Sequence, residues 1–224
     1  MGYDIGQFIL FMVALVFSLS VHEAGHAWMS SRFGDDLARS QGRITLNPIA
    51  HVDPIGTLLF PAVSFFTGAP LLGWARPTPV NPLAWRNKRV ANIWVSAAGV
   101  IGNTIIAIVA GIIIRILMAT GVLVRVGGAS IVTADSEILL AGVKLLNAFF
   151  QLNVVLAVFN LIPIPPLDGS KILGSLLPES FESAIESVEQ FGFILLFIAV
   201  FTGVFSTIFR FVMPIAERIL YIGT

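Results

Sequence analysis

The chain has 224 residues, 56% hydrophobic and only 12% charged, with a mean hydropathy of +0.91, and these are not the proportions of a soluble globule. Thirteen Lys and Arg offset thirteen Asp and Glu, so no net field gathers nucleic acid, which is not an expected partner. Cysteine is absent, which excludes disulfides and thiolate metal sites; a metal here must be held by imidazole and carboxylate, and the histidines are only His22, His26 and His51.

The first apolar run begins at Ile5. Asp4 precedes it and no basic residue occurs before Arg32, so a retained helix is expected rather than a cleaved signal peptide. At about 1.5 Å per residue such a helix crosses about 30 Å of hydrocarbon near Gly25. That places Ser20-Val21-His22-Glu23-Ala24-Gly25-His26 at or just inside the far interface. On a helix the two histidines share one face and can share one metal ion, with Glu23 beside them, which is the zinc hydrolase arrangement. The alternative is a pair of capping or interfacial histidines next to a snorkelling Glu. Against it, ionisable groups inside an apolar helix are costly and usually functional.

Residues 30–54 turn polar, and Asp35, Asp36 and Asp53 read as solvated loop charges. Within this stretch residues 42–48 read as a short extended segment closed by a turn. Residues 55–72 are apolar but broken by Pro61, Gly68 and Pro70, short for a span and read as re-entrant. A proline-rich stretch carries a second extended piece, Pro79-Val80-Asn81. Residues 90–118 form a strong span rich in small residues (Ala97, Ala98, Gly99, Gly102) of the kind that let helices approach closely in lipid. A short loop at Gly127 and Gly128 follows, then a span over 138–162 carrying Asn147, Gln151, Asn153 and Asn160, which Pro163, Pro165 and Pro166 unwind. Leu167-Asp168-Gly169-Ser170 opens a new helix over 170–177, residues 179–189 are amphipathic and interfacial, and 191–209 is the last span.

The expected fold class is therefore an all-α polytopic membrane protein. It has about four to five transmembrane helices, with a re-entrant or β-containing segment between the first two strong spans. A single membrane-embedded domain covers 1–224: metal-binding helix 5–29, loop, strand and re-entrant region 43–82, span 90–118, span with unwound Asp-Gly segment 138–177, and last span 191–209.

Zinc needs at least three protein ligands, and the two histidines leave one to find. The position six residues after His26 is Arg32, not a third histidine. His51 sits in a polar loop beside Asp53 and reads equally as a turn residue. Asp168 differs, because it follows a proline-broken apolar helix whose freed backbone groups need a polar cavity and whose own charge needs a partner. For Asp168 to reach the histidines, the first helix and the 138–162 helix must run parallel, with one full crossing between them. Span 90–118 supplies it, provided that 55–72 dips in and returns. Arg32, Arg39, Arg43, Arg76, Arg86, Lys88, Arg89 and Lys171 then fall on the metal side, against Arg115, Arg125, Lys144, Arg210 and Arg218 on the other. The positive-inside rule makes the metal side cytoplasmic, and a prokaryotic cell membrane is expected.

His22-Glu23-x-x-His26 followed by Asn160-x-x-Pro163-x-x-Pro166-x-Asp168-Gly169 resembles the site-2 protease family of intramembrane zinc metalloproteases, over most of the chain. The resemblance implies that His22, His26 and Asp168 bind one Zn2+ per chain, that Glu23 is the general base, and that Asn160 helps hold the substrate carbonyl or its oxyanion. For Asn160 an interhelical amide bond is the alternative. Residues 42–54 and 74–82 resemble the small prokaryotic members that carry only the membrane core, and no PDZ or CBS domain is expected. The family's Ala-Gly-Pro-x-x-Asn element reads here Ala98-Gly99-Val100-Ile101-Gly102-Asn103, without its proline. Asn103, Asn153 and Gln151 read as structural amides. The implied partners are a transmembrane protein substrate and the lipid bilayer. Residues 43–47 or 79–81 are candidates to pair with unwound substrate as an added strand. A non-catalytic metal-binding protein or metal carrier is the rival, but transport needs a polar path that the first helix lacks beyond Gln7.

Overall fold

The computed structural model describes residues 4–69, 73–126, 129–132 and 136–222, most of them helical. Helix α1 (Ile5–Arg32) starts at Asp4, whose carboxylate accepts from the N–H groups of Gly6 and Gln7 at 2.9 and 3.2 Å. A single turn, α2 (Leu37–Ser40), and a tight turn at Pro48–Ala50 lead to a π-helical turn, Pro54–Leu59, that continues into α3 (Phe60–Thr67). Helix α4 (Lys88–Ala119) is capped by the Asn87 side chain on the N–H of Val90. Strands β1 (Leu123–Val126) and β2 (Ala129–Val132) pair antiparallel, Val126 opposite Ala129. Helix α5 (Glu137–Leu161) is capped by Ser136, and α6 (Asp168–Leu176), α7 (Glu182–Glu189), α8 (Gly192–Phe201) and α9 (Val204–Leu220) complete the chain.

Among the described residues three helices, α1, α4 and α5, are long and apolar enough to cross a membrane. A fourth crossing exists if Ser183–Glu189 and Gly192–Phe201, bent by 61°, count as one span. The chain is thus a multi-pass membrane protein with α1, α4 and α5 packed on one another. Along α4, Val95 meets His26, Asn103 meets Ser18, and a Cβ on Gly102 would touch Val21, so α1 and α4 are antiparallel. Along α5, Phe149 packs on Phe17, and Asn153 bonds Ser18, with Asp168 beyond its end beside His22 and His26. Helices α1 and α5 are therefore parallel with α4 returning between them, the arrangement that the Asp168 argument required.

The cores reflect this packing. Ala14, Leu15 and Leu152 join α1 to α5, while Ala107, Ala110, Ile114, Val143 and Phe150 join α4 to α5, with Leu123 and Leu220 closing the far end. Small side chains on α4 let the backbones approach, and dispersion across such contacts holds helices together where lipid competes equally for apolar surface.

Several expectations are corrected. No strand is present over 43–82 among the described residues; the two strands lie after α4 instead. Pro48, Pro77, Pro79 and Pro82 deny that region ladder donors, and Arg43 takes the carbonyls of Ala50, Arg76 and Pro77. The last span is not one helix over 191–209 but α8 and α9, separated at Thr202 and Gly203. Residues 54–67 form a helix of about 20 Å, short of the roughly 30 Å hydrocarbon core. Its Phe65 and Phe66 pack on Phe8 near the start of α1, with ring centroids 5.2 and 4.9 Å apart. The N–H of Trp74 donates to Gly56 O at 3.2 Å, so the chain comes back to the first turn of this helix. Pro70, the loop pair Gly127 and Gly128, and residues 71–72 lie outside the described residues.

Candidate metal centre

The His-Glu-x-x-His segment lies in the fifth and sixth turns of α1, where His22 and Ala24 are buried and Glu23 and His26 half-buried. The structure brings His22, Glu23 and His26 together as a group whose donor atoms lie within 4.8 Å of one another. Asp168 joins them from the first position of α6. Its Oδ2 lies 3.2 Å from His22 Nε2 and 3.3 Å from His26 Nε2, and the two Nε2 atoms are 3.0 Å apart. Two glycines permit this convergence. A Cβ on Gly99 would stand 2.5 Å from the His22 ring, and a Cβ on Gly169 would stand 2.2 Å from Leu161 O. The first leaves room for the imidazole against α4, and the second lets the first turn of α6 close onto the end of α5.

The tautomers follow from the outer nitrogens. His22 Nδ1 donates to Asn103 Oδ1 at 2.7 Å, and His26 Nδ1 donates to Val95 O at 2.6 Å. A neutral imidazole carries one proton, so both Nε2 atoms present lone pairs to the interior. Asp168 Oδ2 is buried and makes no hydrogen bond of acceptable geometry. Three lone-pair atoms therefore face one point, which repels without a cation. A tetrahedron with bonds of about 2.0–2.1 Å has edges of about 3.3 Å, close to the triangle observed. The donor set, two imidazoles and one carboxylate with a fourth position open, fits zinc.

Asn103 is more than the structural amide expected. It is fully buried, and its Nδ2 donates to Asn153 Oδ1 at 2.8 Å while Asn153 donates to Ser18 Oγ at 2.8 Å. These bonds fix which face of the Asn103 amide meets His22, so an internal polar chain sets the orientation of that imidazole. No spacing rule connects residue 103 to residue 22, and the sequence signal at Asn103, the end of the Ala-Gly-x-x-x-Asn element, does not say which residue it meets.

Glu23 does not join the triangle. Its Oε2 accepts from the Thr78 N–H at 2.9 Å and from the Thr78 hydroxyl at 2.7 Å. Thr78 is a site residue that the sequence did not announce. Asn160 is not brought into the cluster: its Nδ2 donates to Leu156 O at 3.0 Å within α5, an intrahelical bond rather than an interhelical one. His51 is buried with Nε2 donating to Thr45 O at 2.9 Å, a loop brace away from the metal group. Asp53 caps Ile55 and Gly56, and Asp36 is an exposed partner of Arg39. Asp35, by contrast, is no solvated charge. It is buried and accepts from the Ser30 hydroxyl at 2.8 Å and from the N–H groups of Leu37 and Asn81 at 2.9 and 2.7 Å.

The two stretches considered for substrate pairing lie on different sides of α1. Ile44, Thr45 and Leu46 wall an apolar groove of about 510 Å3 whose floor includes Val21, Gly25 and Trp28, residues turned away from the face that carries His22 and His26. Thr78 to Asn81 instead runs along the metal side, from Glu23 to Asp35, with Val80 packed on the Trp85, Ala91 and Val95 cluster that also takes Met29 and Phe33.

The profile of peptidase family M50 matches residues 10–202. YwhC of Bacillus subtilis, named as a candidate zinc metalloprotease, is 36% identical over 223 residues, covering 98% of this chain and 87% of its own. Rip2 of Mycobacterium tuberculosis, named in the same way, is 31% identical over 193 residues, covering 86% of this chain and 67% of its own. Rip2 of Mycolicibacterium smegmatis is 28% identical over 198 residues, covering 88% and 69%. No solved structure matches the chain. With its paired motifs folded into one cluster of imidazole and carboxylate donors, the chain belongs to peptidase family M50, the site-2 proteases, and is a metalloendopeptidase.

Proposed function

We propose that the protein is a zinc-dependent intramembrane endopeptidase that hydrolyses peptide bonds in or near transmembrane segments of membrane proteins. His22, His26 and Asp168 hold the metal and Glu23 is the general base. The observation that carries this reading is the triangle of Nε2, Nε2 and Oδ2 at 3.0–3.3 Å, with both Nδ1 atoms already committed to Asn103 and Val95. Zinc bound there would supply an acidified water and polarise the scissile carbonyl. Glu23 takes the proton of the attacking water and returns it to the leaving amine. Asn160 uses the amide hydrogen that Leu156 leaves free to donate to the developing oxyanion.

A transmembrane helix hides its peptide bonds, so substrate must unwind to react. The Pro79–Asn81 stretch is the better strand for it, since it follows Thr78 directly, whereas Ile44 to Leu46 lies on the other face of α1. Proline replacements over 79–81 should then slow cleavage, and unchanged rates would count against this pairing.

One membrane-embedded domain accounts for the whole. The helix over 54–67 is re-entrant, a reading supported by the return of Trp74 to Gly56, and α7 to α9 add the fourth or fifth membrane-embedded segment. The excess of Arg and Lys on the metal side supports a cytoplasmic active site in a cell membrane.

The test is cleavage of model transmembrane peptides by purified protein in detergent, wild type against Glu23→Gln, with bound zinc measured in both. Wild type should cut, and the variant should keep zinc without cutting. If both bind zinc and neither cuts, while zinc crosses liposomes holding the protein, the carrier reading replaces this one.

A further inference from the structure

Glu23 carries two oxygens with different surroundings. Both Thr78 donors, the N–H at 2.9 Å and the hydroxyl at 2.7 Å, converge on Oε2, whereas Oε1 receives no hydrogen bond from a described residue. The hydroxyl also lies 3.0 Å from the Glu23 carbonyl oxygen, so Thr78 straddles the side chain and backbone of one helical position. A carboxylate rotor pinned through one oxygen has its other oxygen aimed.

Thr78 is itself held. Pro77 and Pro79 flank it, fixing φ on either side and leaving few alternative conformations. The loop that carries it wraps a buried cation: Arg43 is 5% exposed, and its Nη2 donates to Arg76 O and Pro77 O at 2.7 Å each. The other arm of the guanidinium donates to Ala50 O. Beside it, the Arg76 N–H donates to His51 O at 2.8 Å, and His51 donates in turn to Thr45 O. Two loops distant in sequence are thus stitched around one planar fork, and a lysine, with one ammonium point, cannot reproduce its reach to three carbonyls. Burial lowers the Arg43 pKa from its usual value, Arg76 adds to this, and the Glu23 carboxylate opposes both.

We propose that Thr78 is a positioning residue that anchors Glu23 through Oε2 and so reserves Oε1 as the proton-accepting atom, and that Arg43 holds the loop which carries Thr78. This rests on the reading of Glu23 as the general base.

The experiment measures zinc content, kcat and KM on a transmembrane peptide that wild type cuts, for Thr78→Val, Thr78→Ser and Arg43→Lys in detergent. Valine keeps the shape and the backbone N–H but removes the hydroxyl. The expected result is a fall in kcat of about 10–100-fold, the usual scale for losing an outer-shell partner, with KM and zinc unchanged. Serine restores most of that rate, and Arg43→Lys lowers kcat with zinc retained. In a Glu23→Gln background Thr78→Val lowers the residual rate no further, because the two act as one unit. Wild-type kcat in Thr78→Val, or a serine variant as slow as the valine one, overturns the inference alone. Wild type that holds zinc and cuts no peptide overturns the reading of the site, and the inference with it.

Discussion

His22 points its Nδ1 at Asn103 Oδ1, 2.7 Å away across the contact between α1 and α4. The bond holds the proton on the outer nitrogen and leaves Nε2 unprotonated, with both groups buried inside the protein. Asn103→Leu should therefore lower zinc affinity by about 10–100-fold, the range found for outer-shell partners of metal ligands. Competition with a fluorescent chelator checks it, and Asn103→Asp, which still accepts from Nδ1, should lose less. Equal affinity in all three proteins would remove the amide from the site.

Gly99 faces the same imidazole from α4. A methyl group there would stand 2.5 Å from the ring, nearest to carbon Cε1 of His22. Gly99→Ala should cost about 1–3 kcal/mol as an overpacked contact and should also strip zinc, because the ring can yield only by leaving the triangle. Gly142→Ala, where a Cβ meets nothing within 4 Å, serves as the control. Metal content after dialysis separates them; full zinc in Gly99→Ala would refute the steric account.

Asp35 ties the end of α1 to the stretch that runs along the metal side, through Ser30 and Asn81. Removing its carboxylate leaves buried donors unpaired, which costs about 1–3 kcal/mol. Thermal unfolding of Asp35→Ala in detergent should show a clear drop, with zinc still bound at the folded temperature. An unchanged midpoint would mean that water replaces the carboxylate at no cost.

Metal removal should be felt by the whole fold. A ligand that binds only the native state at 100 times its dissociation constant stabilises it by about 2.7 kcal/mol. Stripping the protein with a chelator should lower its unfolding temperature and abolish cleavage, and added zinc should restore both. In Asp168→Asn, whose side chain no longer brings a charge to the triangle, zinc should move the midpoint far less. A midpoint in wild type that ignores zinc would disprove a site of this strength.

What could be read in advance follows a physical division. The long helices were legible because lipid demands uninterrupted apolar runs, and 90–118 differs from Lys88–Ala119 only at its ends. His22, Glu23 and His26 were legible because helical geometry fixes neighbours four apart, and Asp168 because a charge after a proline-broken span needs a partner. Asn103 and Thr78 were not, since their contacts depend on interhelical register and on the path of a proline-rich loop. Asp35 misled because it stands among polar residues, yet its oxygens are claimed by three donors from two helices and a loop. The strands were misplaced because alternation in 42–48 and extended backbone at 79–81 look alike whether the partner is another strand or single side chains, here the Arg43 fork on Arg76 and Pro77 and the Asp35 carboxylate on Asn81.

The order in which the chain is made has a bearing on when it can act. The imidazoles come from the first long helix and the carboxylate from the turn after the third, with α4 lying between them. On the proposed assignment, a nascent polypeptide that has inserted α1 alone, or α1 and α4, holds two of the three metal ligands and no blade. On the same assignment, cutting ability would arrive only when α5 has docked and Gly169 has let its turn close, so an unfinished copy would pose no hazard to the neighbours beside which it is inserted.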